Sequence, residues 1–390
     1  MANAWPGVPL GKTMTPVHRA EAPFPGRIYR QVGVRLWGEG TYEREPVDGA
    51  LTRYGTLFRV EAGDIIVNKI WARNGSVAVV STDLAGTYVS SEFPTFVPIP
   101  NKLDPRWFHW ITKTRQFWAQ CDDKSRGTSG KNRIKPEAFL AIEIALPALS
   151  EQRRTVRRIE EFAAKIEEAR GLRREAAEAA EVLFQQTRAR AFEKAALHGV
   201  RPLSEIATLE RGKFSYRPRN DPRFFGGDHP WIQIAEIEHS TKYIREWSET
   251  LNDAGLAISK KFPKGTVLIS IAATIGAVGI LDFDCCIPDS IVGVTPNEGA
   301  DSEFLYDYLG YARTHLESIA PQSAQKNINL RILAELPVPQ VTLPAQRSIV
   351  AELDALQAEV HRLKALQAET ATELNALLPS VLERAFRGEL

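Results

Sequence analysis

From Ile349 to Val381 an apolar residue returns every three or four places, through Leu353, Leu356, Val360, Leu363, Leu374 and Leu377, with Gln367 and Thr370 as polar members. This is a heptad seam. A helix with so narrow an apolar stripe cannot bury it alone, so a partner helix must lie along it. The chain supplies one: 194 residues earlier stand Ile159, Phe162, Ile166, Ala169, Ala176, Ala180 and Leu183, in a second helix-prone run. Identities accompany the spacing. Gln152-Arg153 matches Gln346-Arg347, Val156 matches Val350, and Arg190-Ala191-Phe192 matches Arg384-Ala385-Phe386. The chain is therefore a tandem duplication, and the seam reads as an internal spacer rather than a zipper between chains.

Each half of the 390 residues is long enough for one compact domain and one long helix. The first domain spans 1–147, with Gly63 to Ile70 as a buried strand, Ser76 to Val80 as its neighbour, and a single helix from Arg106 to Gln120 behind the Pro105 start signal. Ser150 is the expected N-cap of the first long helix, 148–198. Its length of about 48 residues corresponds to ~70 Å. The pattern then restarts over 199–341. Val200-Arg201-Pro202-Leu203 echoes Val8-Pro9-Leu10, and Lys264 to Ile271 echoes Ala62 to Lys69. The second helix occupies 342–390. The fold class is α+β, two mixed domains each followed by a long helix.

Composition narrows the function classes. A net charge of +1 conceals acids crowded into the helical runs and basic clusters between them, so local patches decide the partner. Cys121, Cys285 and Cys286 have neither zinc-ligand spacing nor a disulfide framework, which points to a reducing, cytoplasmic setting and small buried side chains. No apolar run approaches the ~18–20 residues that span a bilayer. Gly7 to Thr13 is one residue short of a phosphate-binding loop and contains Pro9. Asp221-Pro222-Arg223-Phe224 and Trp37-Gly38-Glu39-Gly40 read as turns beside strands. No metal-ligand spacing or nucleophile motif is present, and no catalytic constellation or cofactor site emerges.

A nucleic-acid signature remains. In the first half Lys69, Arg73 and Asn74 follow the buried strand, and Lys124 to Arg133 forms a basic loop with Arg126, Lys131, Asn132 and Arg133. Its glycines admit close backbone approach to phosphates, and its Lys, Arg, Ser and Asn supply phosphate and base-edge donors. In the second half Lys213, Tyr216, Arg217 and Arg219 interleave aromatic and basic chemistry, and Gln325, Lys326 and Asn327 occupy the place of the first half's basic loop. Singly such loops are ordinary solvated surface. Recurrence at matching positions favours a role.

The strand Gly63-Asp64-Ile65-Ile66, the helix entry Leu146 to Arg153, and the terminal run Leu382 to Leu390 resemble the DNA-specificity subunit of type I restriction-modification systems. The likeness covers the whole chain in the order target-recognition domain, long helix, target-recognition domain, long helix. Ala345 stands where the family usually has Glu. The resemblance implies that the helices pack as an antiparallel intramolecular coiled coil and that each domain reads half of a split site in double-stranded DNA. It further implies a non-catalytic subunit without cofactor, binding two methyltransferase subunits and, in the full complex, restriction and motor subunits. The competing reading is a coiled-coil scaffold whose globular parts bind other proteins, with Trp107, Trp110 and Trp118 as its surface, although their helical spacing favours the core.

Overall fold

The computed structural model describes residues 5–125, 132–216, 218, 220–320 and 327–390. They divide into two compact units. One comprises Met1–Arg173 with Ala368–Leu390, the other Arg174–Gln367.

In the first unit Gly7–Pro9 pairs antiparallel with Glu143–Ala145, tying the start of the globular part to its end. Between them stand two sheets. An antiparallel sheet runs Met14–Val17, Thr95–Pro98, Ile65–Val67, Val77–Val79. A five-stranded sheet runs Ala20–Glu21, Leu57–Arg59, Tyr88–Val89, Ile28–Val34, Thr41–Asp48, mixed because Gln31 pairs parallel with Tyr88. Ile65, Ile66 and Val67 are all buried, as a strand covered on both faces requires. Where the spacing predicts one helix there are two, Pro105–Ile111 and Arg115–Ser125. The hydroxyls of Thr112 and Thr114 donate to the carbonyls of His109 and Ile111, 2.7 and 2.8 Å, and this local bonding accompanies the corner. Trp107 and Trp110 are buried, so they belong to the core.

The second unit repeats the plan. Val200–Pro202 pairs with Pro337–Pro339. A five-stranded sheet runs Ala207–Arg211, Ile291–Pro296, Val267–Ser270, Val278–Leu281, Tyr243–Ile244, and a four-stranded one runs Glu249–Leu251, Phe225–Trp231, Cys285–Cys286, Lys261–Phe262. The helix Ser302–Ile319 covers the first of these, with Phe304, Leu305, Leu309 and Leu316 buried.

The first long helix is Leu149–Ala196, so Ser150 lies in its first turn rather than at its cap. The second is Leu343–Glu369, broken at Thr370 and resumed as Ala371–Phe386. Within the first unit Arg170 donates to Asn375 Oδ1 at 3.0 Å and Arg173 to Thr370 Oγ1 at 2.8 Å, while Arg154 reaches the carbonyl of Leu390. Positions rise on one helix as they fall on the other, which is an antiparallel pair. Within the second unit Lys364 bonds Glu181 at 2.8 Å in the same register.

The seam keeps to the expected positions at Ile159, Ile166, Leu353 and Val360, with Ala180, Ile349, Leu356 and Val381 packed beside them, but departs at Phe162, Leu183 and Leu377. Leu183 and Leu377 are about half exposed at 53% and 47%, while Phe184 and Leu378 turn inward. Phe162 is also exposed, with Ala163 packed instead. An α-helix of 3.6 residues per turn drifts by about 20° per heptad, and here each helix also buries side chains against a globular core, which holds that drift in place.

A buried glutamine joins each long helix to its domain. Gln152 Oε1 accepts from Asp104 N at 3.0 Å, and its Nε2 donates to the carbonyls of Lys102 and Pro147. Gln346 Oε1 accepts from Asp301 N at 2.9 Å, and its Nε2 donates to those of Gly299 and Val341. Asp104 and Asp301 each cap the helix that follows them. Each also faces the arginine after the glutamine, Arg153 at 3.4 Å and Arg347 at 3.5 Å.

Candidate nucleic-acid interface

One hydrogen bond gathers most of the first half's candidates. Ile134 N donates to the Lys69 carbonyl at 2.9 Å, which seats Asn132 and Arg133 beside the turn leaving Ile65–Val67. Asn68 builds that turn: its Oδ1 accepts from the N–H groups of Ile70 and Trp71 at 3.1 and 3.3 Å. Ala72–Asn74 then forms a single 3-10 turn, closed by Gly75 at φ 72°, where a side chain would be strained. A Cβ on Gly75 would also stand 2.7 Å from Trp118 Nε1, so the helix Arg115–Ser125 is seated directly on the turn.

Lys69, Arg73 and Asn74 are half-buried, while Arg133 is exposed. The Arg73 guanidinium stands 5.9 Å from the Trp71 ring centre. Arg133 pairs with Glu92 at 3.4 Å, and the backbone of Glu92 accepts from Lys69 N at 3.1 Å. Lys124 is exposed in the last turn of its helix. Arg126 and Lys131 lie outside the described residues.

The second unit has the same frame with different side chains. Ile328 N donates to the Ile271 carbonyl at 2.9 Å, the counterpart of the Ile134 to Lys69 bond, and exposed Asn327 bridges Ala272. Here the turn reads Ile271-Ala272-Ala273-Thr274-Ile275 before Gly276, one residue shorter than Lys69-Ile70-Trp71-Ala72-Arg73-Asn74 before Gly75 in the first unit. Lys213 and Tyr216 sit elsewhere, beside the four-stranded sheet, with Phe214 bridging Ser259 and the Lys213 carbonyl accepting from Ser259 Oγ at 2.8 Å. The described candidates of the second half thus fall on two different sheets, because the interleaved run leaves Ala207–Arg211 and crosses to the other layer. Arg217, Arg219, Gln325 and Lys326 lie outside the described residues.

Sequence reasoning missed Arg223. Its guanidinium lies over the rings of Tyr216 and Phe224, 5.2 and 5.7 Å from their centres, and donates to Tyr216 Oη at 2.6 Å. Asp221 holds it from below, a hydrogen-bonded pair that raises the arginine's pKa and lowers the aspartate's. The same Asp221 accepts from Arg223 N at 3.1 Å, so this segment is the turn its Asp-Pro start implies. The stacking arises because the chain brings Tyr216 back onto this turn, which residue spacing does not show.

All three cysteines are buried and unpaired, and burial pushes the Cys121 thiol up to about 12. Among the described residues no cluster of three His, Cys, Asp or Glu could hold a metal ion. Nor is any helix among them long and apolar enough to cross a membrane.

A family model described as the type I restriction modification DNA specificity domain matches residues 41–175 and again 198–370. Among characterised relatives, the MjaIX specificity subunit of a type I restriction enzyme from Methanocaldococcus jannaschii is 27% identical over 136 residues, 33% of this chain and 31% of that protein. The chain spans between 28% and 36% of the length of the curated relatives it matches. Of solved structures, the HsdS subunit from Thermoanaerobacter tengcongensis aligns with TM-score 0.67 at 25% identity, covering 100% of this chain and 98% of its own. A second, from work on complex assembly and conformational transition of the type I R-M system, aligns with TM-score 0.74 at 24% identity, covering 100% and 99%. Matched once in each half and over most of its length, the chain belongs to the type I restriction-modification DNA specificity family.

Proposed function

We propose that each unit reads one half of a bipartite DNA site and that the chain, itself without catalytic activity, directs methyltransferase and restriction subunits to that site. One observation carries this reading: corresponding backbone bonds, Ile134 N to the Lys69 carbonyl and Ile328 N to the Ile271 carbonyl, adjoin a turn that bears cationic and aromatic side chains in one unit and neutral aliphatic ones with a threonine in the other. Two heads built alike but furnished differently suit two different half-sites. Arg bonds guanine and Asn bonds adenine bidentately, so Arg133, Asn132 and Asn74 are the base readers assigned to the first head, and Asn327 to the second. Lys69, Arg73 and Lys124 are assigned to phosphates, as are Arg126 and Lys131 on the basic loop. Lys213, Tyr216, Arg217 and Arg219, with Gln325 and Lys326, complete the second head. The buried, unpaired thiols suit the reducing cytoplasm where such a system works.

Selection of bound duplexes from a random library defines the two half-sites. Arg133→Ala is then expected to weaken discrimination at one half only, at about 1–3 kcal/mol for a lost bidentate contact. Equal loss at both halves contradicts modular reading. The purified chain alone is expected to bind duplex DNA with a steep salt dependence and to transfer no methyl group from S-adenosylmethionine. Binding insensitive to salt would favour a protein scaffold instead.

A further inference from the structure

The strands Ile28–Val34 and Thr41–Asp48 of the first unit form an antiparallel ribbon in which Gly33 lies opposite Tyr42 and Gln31 opposite Arg44. A Cβ on Gly33 would fall 2.5 Å from the Tyr42 ring, so the ring crosses its neighbour strand at the place where a residue without a side chain leaves room. The Arg35 guanidinium stands 5.6 Å from the centre of the same ring. Across from the ribbon, Asn68 and Trp71 of the adjoining turn complete a groove of about 570 Å³.

Strand alternation sorts the charges. Tyr42 and Arg44 share the groove face, whereas Glu43 points to the other, where it accepts from Arg30 at 2.7 Å. Among the described residues neither Arg35, Arg44 nor Arg73 has a carboxylate partner, although Arg19, Arg27, Arg30 and Arg59 of the same unit all do. Tyr42 and Trp71 are 38% and 46% exposed. Two unpaired arginines facing one groove repel each other, and open aromatic rings beside them leave apolar surface in water. A polyanion with flat or apolar elements between its charges relieves both costs.

Resting on the reading above that this unit binds DNA, we propose that this groove is a second contact of the first head, gripping the sugar-phosphate backbone. In it Arg35 and Arg44 take phosphates, and Tyr42 and Trp71 pack against the intervening sugars. Its role is to position the duplex, not to read bases.

The test uses the full chain and a mixed-sequence duplex of about 30 base pairs, titrated over a range of salt. Each phosphate contact contributes about 0.9 to the slope of log K against log salt, so Arg35→Ala/Arg44→Ala is expected to flatten the slope by about 1.8, equally on every sequence, while Arg35→Lys/Arg44→Lys restores most of it. An unflattened slope in the alanine variant, with wild type still binding steeply, overturns the groove and leaves the DNA reading intact. Failure of wild type to bind duplex DNA overturns the reading itself. Should the alanine variant not fold, Arg35→Gln/Arg44→Gln, which keeps most of the side-chain length and removes the charge, decides by the same slope: a flattened slope supports the groove and an unchanged one overturns it.

Discussion

Asp307, buried, and His109, half-buried, are titratable groups in different units, and desolvation moves each toward its neutral form. Burial raises the Asp307 carboxyl to about 7 against the opposing pull of Lys242, 3.9 Å away, and of Arg188, with Asp354 and Glu303 adding to the rise. The folded chain therefore holds a proton that the unfolded chain releases near 3.8. Between these values acid stabilises the second unit, and the benefit is lost as pH rises through about 7. His109 behaves oppositely. Burial, then Lys113, depress it from 6.5 to about 4, so the unfolded chain takes up the proton first and stability falls as pH drops through that window. Calorimetry across pH 4 to 8 should show Asp307→Asn melting higher than wild type at the alkaline end, and His109→Gln losing part of the acid sensitivity. An unaltered pH profile in either variant contradicts the corresponding assignment. Neither behaviour was legible beforehand: Asp307 occupies one position of an amphipathic helix, and only its burial in the folded unit, against the pull of Lys242 and Arg188, sets its protonation.

At the level of elements, the paired glutamines carry the duplication from sequence into three dimensions. Each satisfies one backbone N–H and two carbonyls at the joint between a domain and its long helix. Replacement by alanine strands these groups in a buried place, at about 1–3 kcal/mol for each group left unsatisfied. We expect Gln152→Ala to lower protection from hydrogen exchange around Asp104 and Gln346→Ala around Asp301, each leaving the other joint unchanged. Loss of protection at both joints in one variant would show that they are coupled. The identity of Gln152-Arg153 with Gln346-Arg347 was visible in the sequence because the bonds demand this side chain. Other features were less visible. The corner at Thr112 to Thr114 interrupts what spacing makes one helix, since the apolar period continues across it. The exchange of Leu183 for Phe184 in the seam follows from contact with a sheet that a heptad count does not contain. The groove of Arg35, Tyr42 and Arg44 was hidden because it arises from register between two strands and a turn more than twenty residues away.

For the molecule as a whole, the second unit is one uninterrupted stretch, Arg174–Gln367, whereas the first unit draws on Met1–Arg173 and on Ala368–Leu390. The last segment is part of its core: Leu382 and Ala385 are buried with Val156, Ile159 and Trp107, and the Phe386 ring meets Trp107 at 4.9 Å. Leu382→Ala is expected to cost about 2–5 kcal/mol and to destabilise the first unit selectively in limited proteolysis, with the second unit's fragment persisting. Equal digestion of both would indicate a single cooperative block. The arrangement bears on the order of events during synthesis. All of the second unit's chain is made before Ala368–Leu390, the segment that supplies Leu382 and Ala385 to the first unit's core, so that core can be completed only after the second unit's chain exists. The unit whose chain is begun first is thus the one whose chain is completed last.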